Sequence, residues 1–121
     1  MNFLSINNIM KITTFVGRGL IASLFIISGV YSLFFNFNGF SGAIAAKNLP
    51  FPTILAIFVL SLKILAGTFL VFNYHAYLAT ISLIGFTALA TVIYHNGFVD
   101  ASQFNNMMKN FAIIGGLLLL L

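Results

Sequence analysis

The chain has no cysteine, no tryptophan and a single acidic residue, Asp100, in 121 positions. Without cysteine there is no disulfide, no thiolate metal site, no iron–sulfur cluster and no thiol nucleophile. The two histidines, His75 and His95, fall at opposite ends of one apolar segment and are too few for a metal or haem centre. Charge is scarce altogether, at 5% of residues, where soluble domains carry about a quarter. Five cations and one acid cannot cover the outside of a water-soluble domain of this length.

What the chain does have is apolar surface. It is 61% hydrophobic, with a mean hydropathy of +1.13, so lipid is the solvent its surface fits. The formal charge of +4 does not indicate nucleic acid. Lys11, Arg18, Lys47, Lys63 and Lys109 are scattered singly among apolar neighbours, and a phosphate-tracking surface needs clustering.

Hydropathy divides the chain into four candidate spans over residues 15–35, 53–72, 76–95 and 103–121, an all-α transmembrane four-helix bundle in a single domain of residues 1–121. The first run is interrupted only by Arg18, and about 20 helical residues cross a bilayer core. A polar, Gly-rich stretch, Asn36-Phe37-Asn38-Gly39-Phe40-Ser41-Gly42, opens a linker of about 15 residues that predicts an interfacial turn of helix. Pro50 and Pro52 mark the start of the second span. Asn73-Tyr74-His75 leaves room only for a hairpin, so spans two and three are antiparallel neighbours. His95-Asn96-Gly97 is a helix stop. The apolar part of the last span, residues 111–121, is short, so that span must begin near Gln103. Its end in five leucines without interfacial anchors suggests a shortened terminus.

Ala43-Ile44-Ala45 has the small residues of a signal cleavage site, but the apolar run before it is too long and begins too late. Lys11 and Arg18 on one side balance Lys47 and Lys109 on the other, so the positive-inside count ties. The expected setting is multi-pass, in the cell's inner (plasma) membrane, with a slight lean toward cytoplasmic termini.

Polar groups at lipid depth are where function is expected. Lys63 lies about ten residues from either end of its span, where an ammonium costs about 2.5–3.5 kcal/mol on insertion scales. Asp100 belongs to a loop and cannot meet it. Loss of the proton, a snorkelling stem or an external anion remain as ways of accommodating the amine. Arg18 is either an interfacial anchor or, on one face with Ala22, Phe25, Gly29 and Ser32, a bundle-facing anion contact. His95, Asn96, Asp100, Gln103, Lys109 and Asn110 gather at one membrane face. There they either cap helix ends or form a polar cluster in which His95 and Asp100 relay protons or hold a quinone carbonyl. The small pairs Ala76/Thr80 and Ala112/Gly116 predict close helix packing. The fifteen Phe and four Tyr are accounted for by packing and lipid contact.

The segment Gly17-Arg18-Gly19-Leu20-Ile21-Ala22-Ser23-Leu24-Phe25-Ile26-Ile27-Ser28-Gly29 resembles the opening stretch of DoxX-type membrane proteins. Leu49-Pro50-Phe51-Pro52 is similar to the family's Pro-containing second-helix start, Leu89 to His95 to its third-helix ending, and Lys109 to Leu117 to its fourth-helix start. The resemblance departs at Leu62-Lys63-Ile64-Leu65-Ala66-Gly67, where relatives commonly carry glutamate at the Lys63 position. A glutamate there could pair with the first-span arginine; Arg18 and Lys63 repel. The family takes its name from the small subunit of a thiosulfate-to-quinone oxidoreductase, so the resemblance implies a possible quinone cofactor and a place in a membrane redox complex.

The leading expectation is an accessory or assembly subunit without catalysis of its own, because no catalytic constellation is complete. The alternatives are a quinone-linked oxidoreductase subunit, with Arg18, His95, Lys109 and Asn110 as quinone or anion contacts, and a small anion-binding or transport protein built on Arg18 and Lys63. Apart from the bilayer, the expected partners are further copies of the chain or a redox complex.

Overall fold

A computed structural model describes residues 3–121. The described residues contain helices α1 (Phe3–Phe35), α2 (Phe37–Ala46), α3 (Pro52–Val71), α4 (Ala76–Tyr94) and α5 (Phe104–Leu119), with one 3₁₀ turn over Ala101–Gln103 and no strand. The all-α expectation holds. Three helices, Ser5–Phe35, Pro52–Val71 and Ala76–Tyr94, are long and apolar enough to cross a membrane. At 16 residues, α5 is about 24 Å long. The preceding 3₁₀ turn adds about 6 Å and brings it near the bilayer's hydrocarbon thickness.

Helix α1 leads through the short α2 into α3, a tight turn joins α3 to α4, and a loop with the 3₁₀ turn joins α4 to α5. Helix α1 packs along α3, α3 against α4 and α4 against α5, whereas α1 touches α5 lightly. The core is Ala22, Phe25, Ala66, Leu70, Ala79, Leu83 and Leu117. Outside it the molecule is apolar too: Leu20, Ile27, Phe34, Phe58, Leu65, Leu89 and Val92 are exposed, the surface that lipid requires.

Small residues set the α1–α3 distance. A Cβ on Gly67 would come within 3.2 Å of the Ala22 carbonyl oxygen and 2.7 Å of Ile26 Cγ1, and one on Gly29 within 2.9 Å of Ile64 Cγ1. Thr80, Thr87 and Thr91 form a buried line on α4. Each returns its hydroxyl to the carbonyl four residues back, at 2.7, 2.8 and 2.7 Å, so their burial leaves no donor unsatisfied.

Local chemistry explains the helix ends. Pro52 occupies the first turn of α3, where a missing N–H costs nothing. At its other end Asn73 adopts a left-handed φ of 55°. The Asn73 N–H donates to Leu70 O, and the Tyr74 N–H to Phe69 O at 2.8 Å. This is a Schellman closure, completed by the Phe69 and Tyr74 rings at 5.3 Å. The expected hairpin between spans two and three is this turn.

Two boundaries differ from expectation. Among the described residues, helix α1 begins twelve residues before the first hydropathic span, because no Gly or Pro interrupts residues 3–16 and nothing there stops a helix. Its 33 residues make a rod about 50 Å long. From Ser5 to Val16 every residue is exposed except the half-exposed Asn7, so this part stands clear of the other helices. The linker holds a ten-residue helix, α2, where a single turn was expected. Ile44 is its buried residue, and Ala43 to Ala45 lie within it.

Of the small pairs, Thr80 is fully buried and Gly116 meets Ile21 of α1, while Ala112 is exposed.

Candidate functional site

A half-enclosed cavity of about 450 Å³ lies among all five helices. Helix α1 contributes Leu24, Phe25 and Ser28; α2 contributes Phe40 and Ile44; α3 contributes Lys63. Phe86, Thr87 and Tyr94 line it from α4, with His95 just beyond, and α5 adds Asn110 and Ile113. The lining is apolar with a few convergent polar groups, and the volume is in the range of small-molecule sites.

Lys63 is the cavity's cation. It is 9% exposed, and its Nζ lies 5.4 Å from the centroid of the Phe86 ring, a cation–π arrangement. Among the described residues it has no carboxylate partner. The aromatic face supplies part of what water would, and the open side of the cavity leaves the amine accessible.

His95 caps α4, and its Nδ1 is 2.8 Å from Gln103 Oε1. The same oxygen accepts from Asn106 Nδ2 at 2.9 Å. An amide oxygen is an acceptor only, so in this arrangement His95 Nδ1 carries the hydrogen, and in the neutral ring Nε2 is the free acceptor.

No hydrogen bond among the described residues joins His95 to Asp100, the pair that one of the two readings of this cluster set side by side. Asp100 instead caps the 3₁₀ turn, its Oδ1 accepting from the Ser102 hydroxyl at 2.7 Å and the Ser102 N–H at 3.0 Å. These two donors, hydroxyl first, hold the Asp100 carboxyl below its ordinary range, and Lys47 acts in the same direction. Asn96 is likewise a local cap, accepting from the Phe98 N–H at 3.1 Å.

A smaller cavity of about 260 Å³ at this membrane face is lined by Lys47, Tyr94, Asn96, Asp100 and Gln103, among others. The Lys47 Nζ sits 5.7 Å from the Tyr94 ring centroid, and Tyr94 donates its hydroxyl to Ala43 O at 3.2 Å. These contacts pin α2 to the end of α4 and fix one wall of the larger cavity.

Of the five residues singled out from sequence, Lys63, His95 and Asn110 meet in one cavity, and Arg18 and Lys109 do not line it. Arg18 is half-exposed on α1. Ala22, Phe25 and Gly29 on its face are buried, so the bundle-facing stripe is as expected, but Arg18 lies near the bundle's far end. Lys109 is exposed, since one step along a helix turns a side chain about 100° from its neighbour Asn110. Ser28, Phe40, Phe86, Thr87 and Tyr94 were not anticipated. The signal for the last three was the three- and four-residue spacing of Thr87, Ala90 and Tyr94, with Phe86 beside them, leading to His95.

An outer surface of exposed apolar residues around a helical bundle, with a mixed cavity inside, defines a small integral membrane protein. The chain belongs to the DoxX family, whose family model matches residues 13–96. That stretch holds Arg18, Lys63 and His95 and ends before Lys109 and Asn110. No curated protein and no solved structure matches the chain.

Proposed function

We propose that the protein is an accessory subunit of a complex in the cell's inner membrane, without catalysis of its own, and that it holds a lipid-soluble ligand by its polar head in the five-helix cavity. The observation that carries this reading is the convergence of Lys63, His95 and Asn110, from three different elements, on one apolar-lined space. A quinone fits that description: its carbonyl oxygens accept hydrogen bonds, and Lys63 and Asn110 offer donors. The exposed apolar sides of α1, α3 and α4 offer surface to lipid, to further copies or to a redox partner.

Titration of the detergent-purified chain with a short-chain quinone analogue tests the ligand. Wild type binds, and Asn110→Ala, which removes a donor to a quinone carbonyl, loses roughly 2- to 10-fold, the worth of one neutral hydrogen bond. Lys109→Ala, outside the cavity, binds as wild type does. No binding by wild type, or undiminished binding by Asn110→Ala, rejects the quinone. Turnover by the pure, partner-free chain rejects the accessory role.

A second reading, anion binding, is favoured by one specific observation: Lys63 is a buried cation without an anionic partner among the described residues.

A further inference from the structure

We infer that the head accepted by the cavity is a single carboxylate on a long apolar chain, a lipid-soluble monocarboxylic acid paired with Lys63. The inference rests on the ligand-holding cavity proposed above and specifies what that cavity selects.

Lys63 is nine-tenths buried and lines the cavity, with a ring face 5.4 Å away as its only partner among the described residues. A buried ammonium is stable when a matching anion shares its low-dielectric surroundings. No side chain of this sequence provides that anion, because its one acid, Asp100, is held by Ser102 in the loop beyond α4.

The number of cations sets the charge of the ligand. Lys63 is the only Lys or Arg in the lining, and His95 is the one other basic side chain there. One ammonium balances one negative charge, and a dianion would leave an excess buried.

Access by way of the hydrocarbon selects a weak acid. A carboxylic acid can cross lipid as the neutral molecule. On arrival the carboxyl oxygen gives up its proton to water at the cavity's open side, leaving a carboxylate paired with the Lys63 ammonium and no net charge on the pair. Sulfate and phosphate esters keep their charge at neutral pH and have no such neutral form to carry through hydrocarbon. The rest of the ligand must be apolar, since Leu24, Phe25, Phe40, Ile44 and Ile113 line the remaining wall.

The test uses the full chain in phosphatidylcholine nanodiscs and compares laurate, dodecanol, acetate and a short-chain quinone analogue by equilibrium binding. Laurate binds at least about 10-fold more tightly than dodecanol or acetate, the span of a charge-assisted hydrogen bond being roughly 10- to 100-fold. Lys63→Met brings laurate down to the dodecanol level, while Lys63→Arg keeps the preference for the acid. Equal affinity for laurate and dodecanol in wild type overturns the inference, whether or not the variants fold. So does undiminished laurate binding by a folded Lys63→Met. Acetate binding as tightly as laurate overturns it too, since the apolar wall then contributes nothing. If the quinone analogue or dodecanol still binds in those cases, the cavity reading survives. If no lipophilic probe binds, both fall.

Discussion

Single side chains in this protein do unlike work according to depth. Asp100 is fully in water and serves the loop. Its carboxyl is held below its ordinary 3.8 by the Ser102 donors and by Lys47, so the loop gains from its ionised form. That contribution is complete above the unfolded value and is lost as pH falls through the lower folded one. Hydrogen exchange at the Ser102 amide should accordingly show protection that holds from pH 7 down to about 4 and disappears below, while Asp100→Asn weakens it at every pH. Lys63 and Asp100 were both legible in the sequence, one as a charge inside an apolar run and the other as the chain's only acid. Whether His95 would meet Asp100 or Gln103 was not. All three lie within nine residues of the α4 stop, and only the path of the loop decides which side chain reaches the imidazole.

Helix ends and helix contacts rest on a few small or permissive residues. Asn73 closes α3 in a left-handed conformation that asparagine tolerates and β-branched residues do not. Asn73→Val should lower thermal stability in detergent by about 1–2 kcal/mol, and Asn73→Gly should be neutral or slightly stabilising. Gly67 is less forgiving, because the atom its Cβ would meet at 3.2 Å is backbone, the Ala22 carbonyl. Gly67→Ala should cost about 1–3 kcal/mol in the same melt, more than Gly85→Ala, where the space beside the glycine is open. Both ends of α3 and the stop of α4 could be read in advance, since Pro52, Asn73 and Gly97 carry their signals locally. The start of α1 could not. Hydropathy reports where lipid begins, and the polar Asn7, Lys11, Thr13 and Thr14 ended the apparent span although none of them ends a helix.

At the level of the whole molecule, the four long helices are a pattern that apolar periodicity announces, and the cavity is not. Phe86 and Thr87 look like packing residues until the rotation of α4 about its axis is known, and α2 looks like a linker until Ile44 is seen buried and Phe40 at the cavity wall. The same uncertainty about rotation made Lys109 a candidate beside Asn110. The fourth helix was the doubtful span, and its contact through Gly116 with Ile21 places its end level with the early part of the first span.

The overhang of α1 has a practical consequence for orientation. Its bundle-facing line, Ala22, Phe25 and Gly29, continues outward at helical spacing as Arg18, Thr14, Lys11 and Asn7. A rod about 50 Å long in hydrocarbon about 30 Å thick must leave one end in water. The chain contains no thiol, so a cysteine introduced there is the sole target for a maleimide. Thr14→Cys in sealed vesicles should react with a membrane-impermeant reagent from one side only, and Val99→Cys, in the loop between α4 and α5, from the other. Labelling of both from the same side would show that this arrangement of spans is wrong. The opposite result would supply the compass bearing that the evenly divided lysines and arginines withhold.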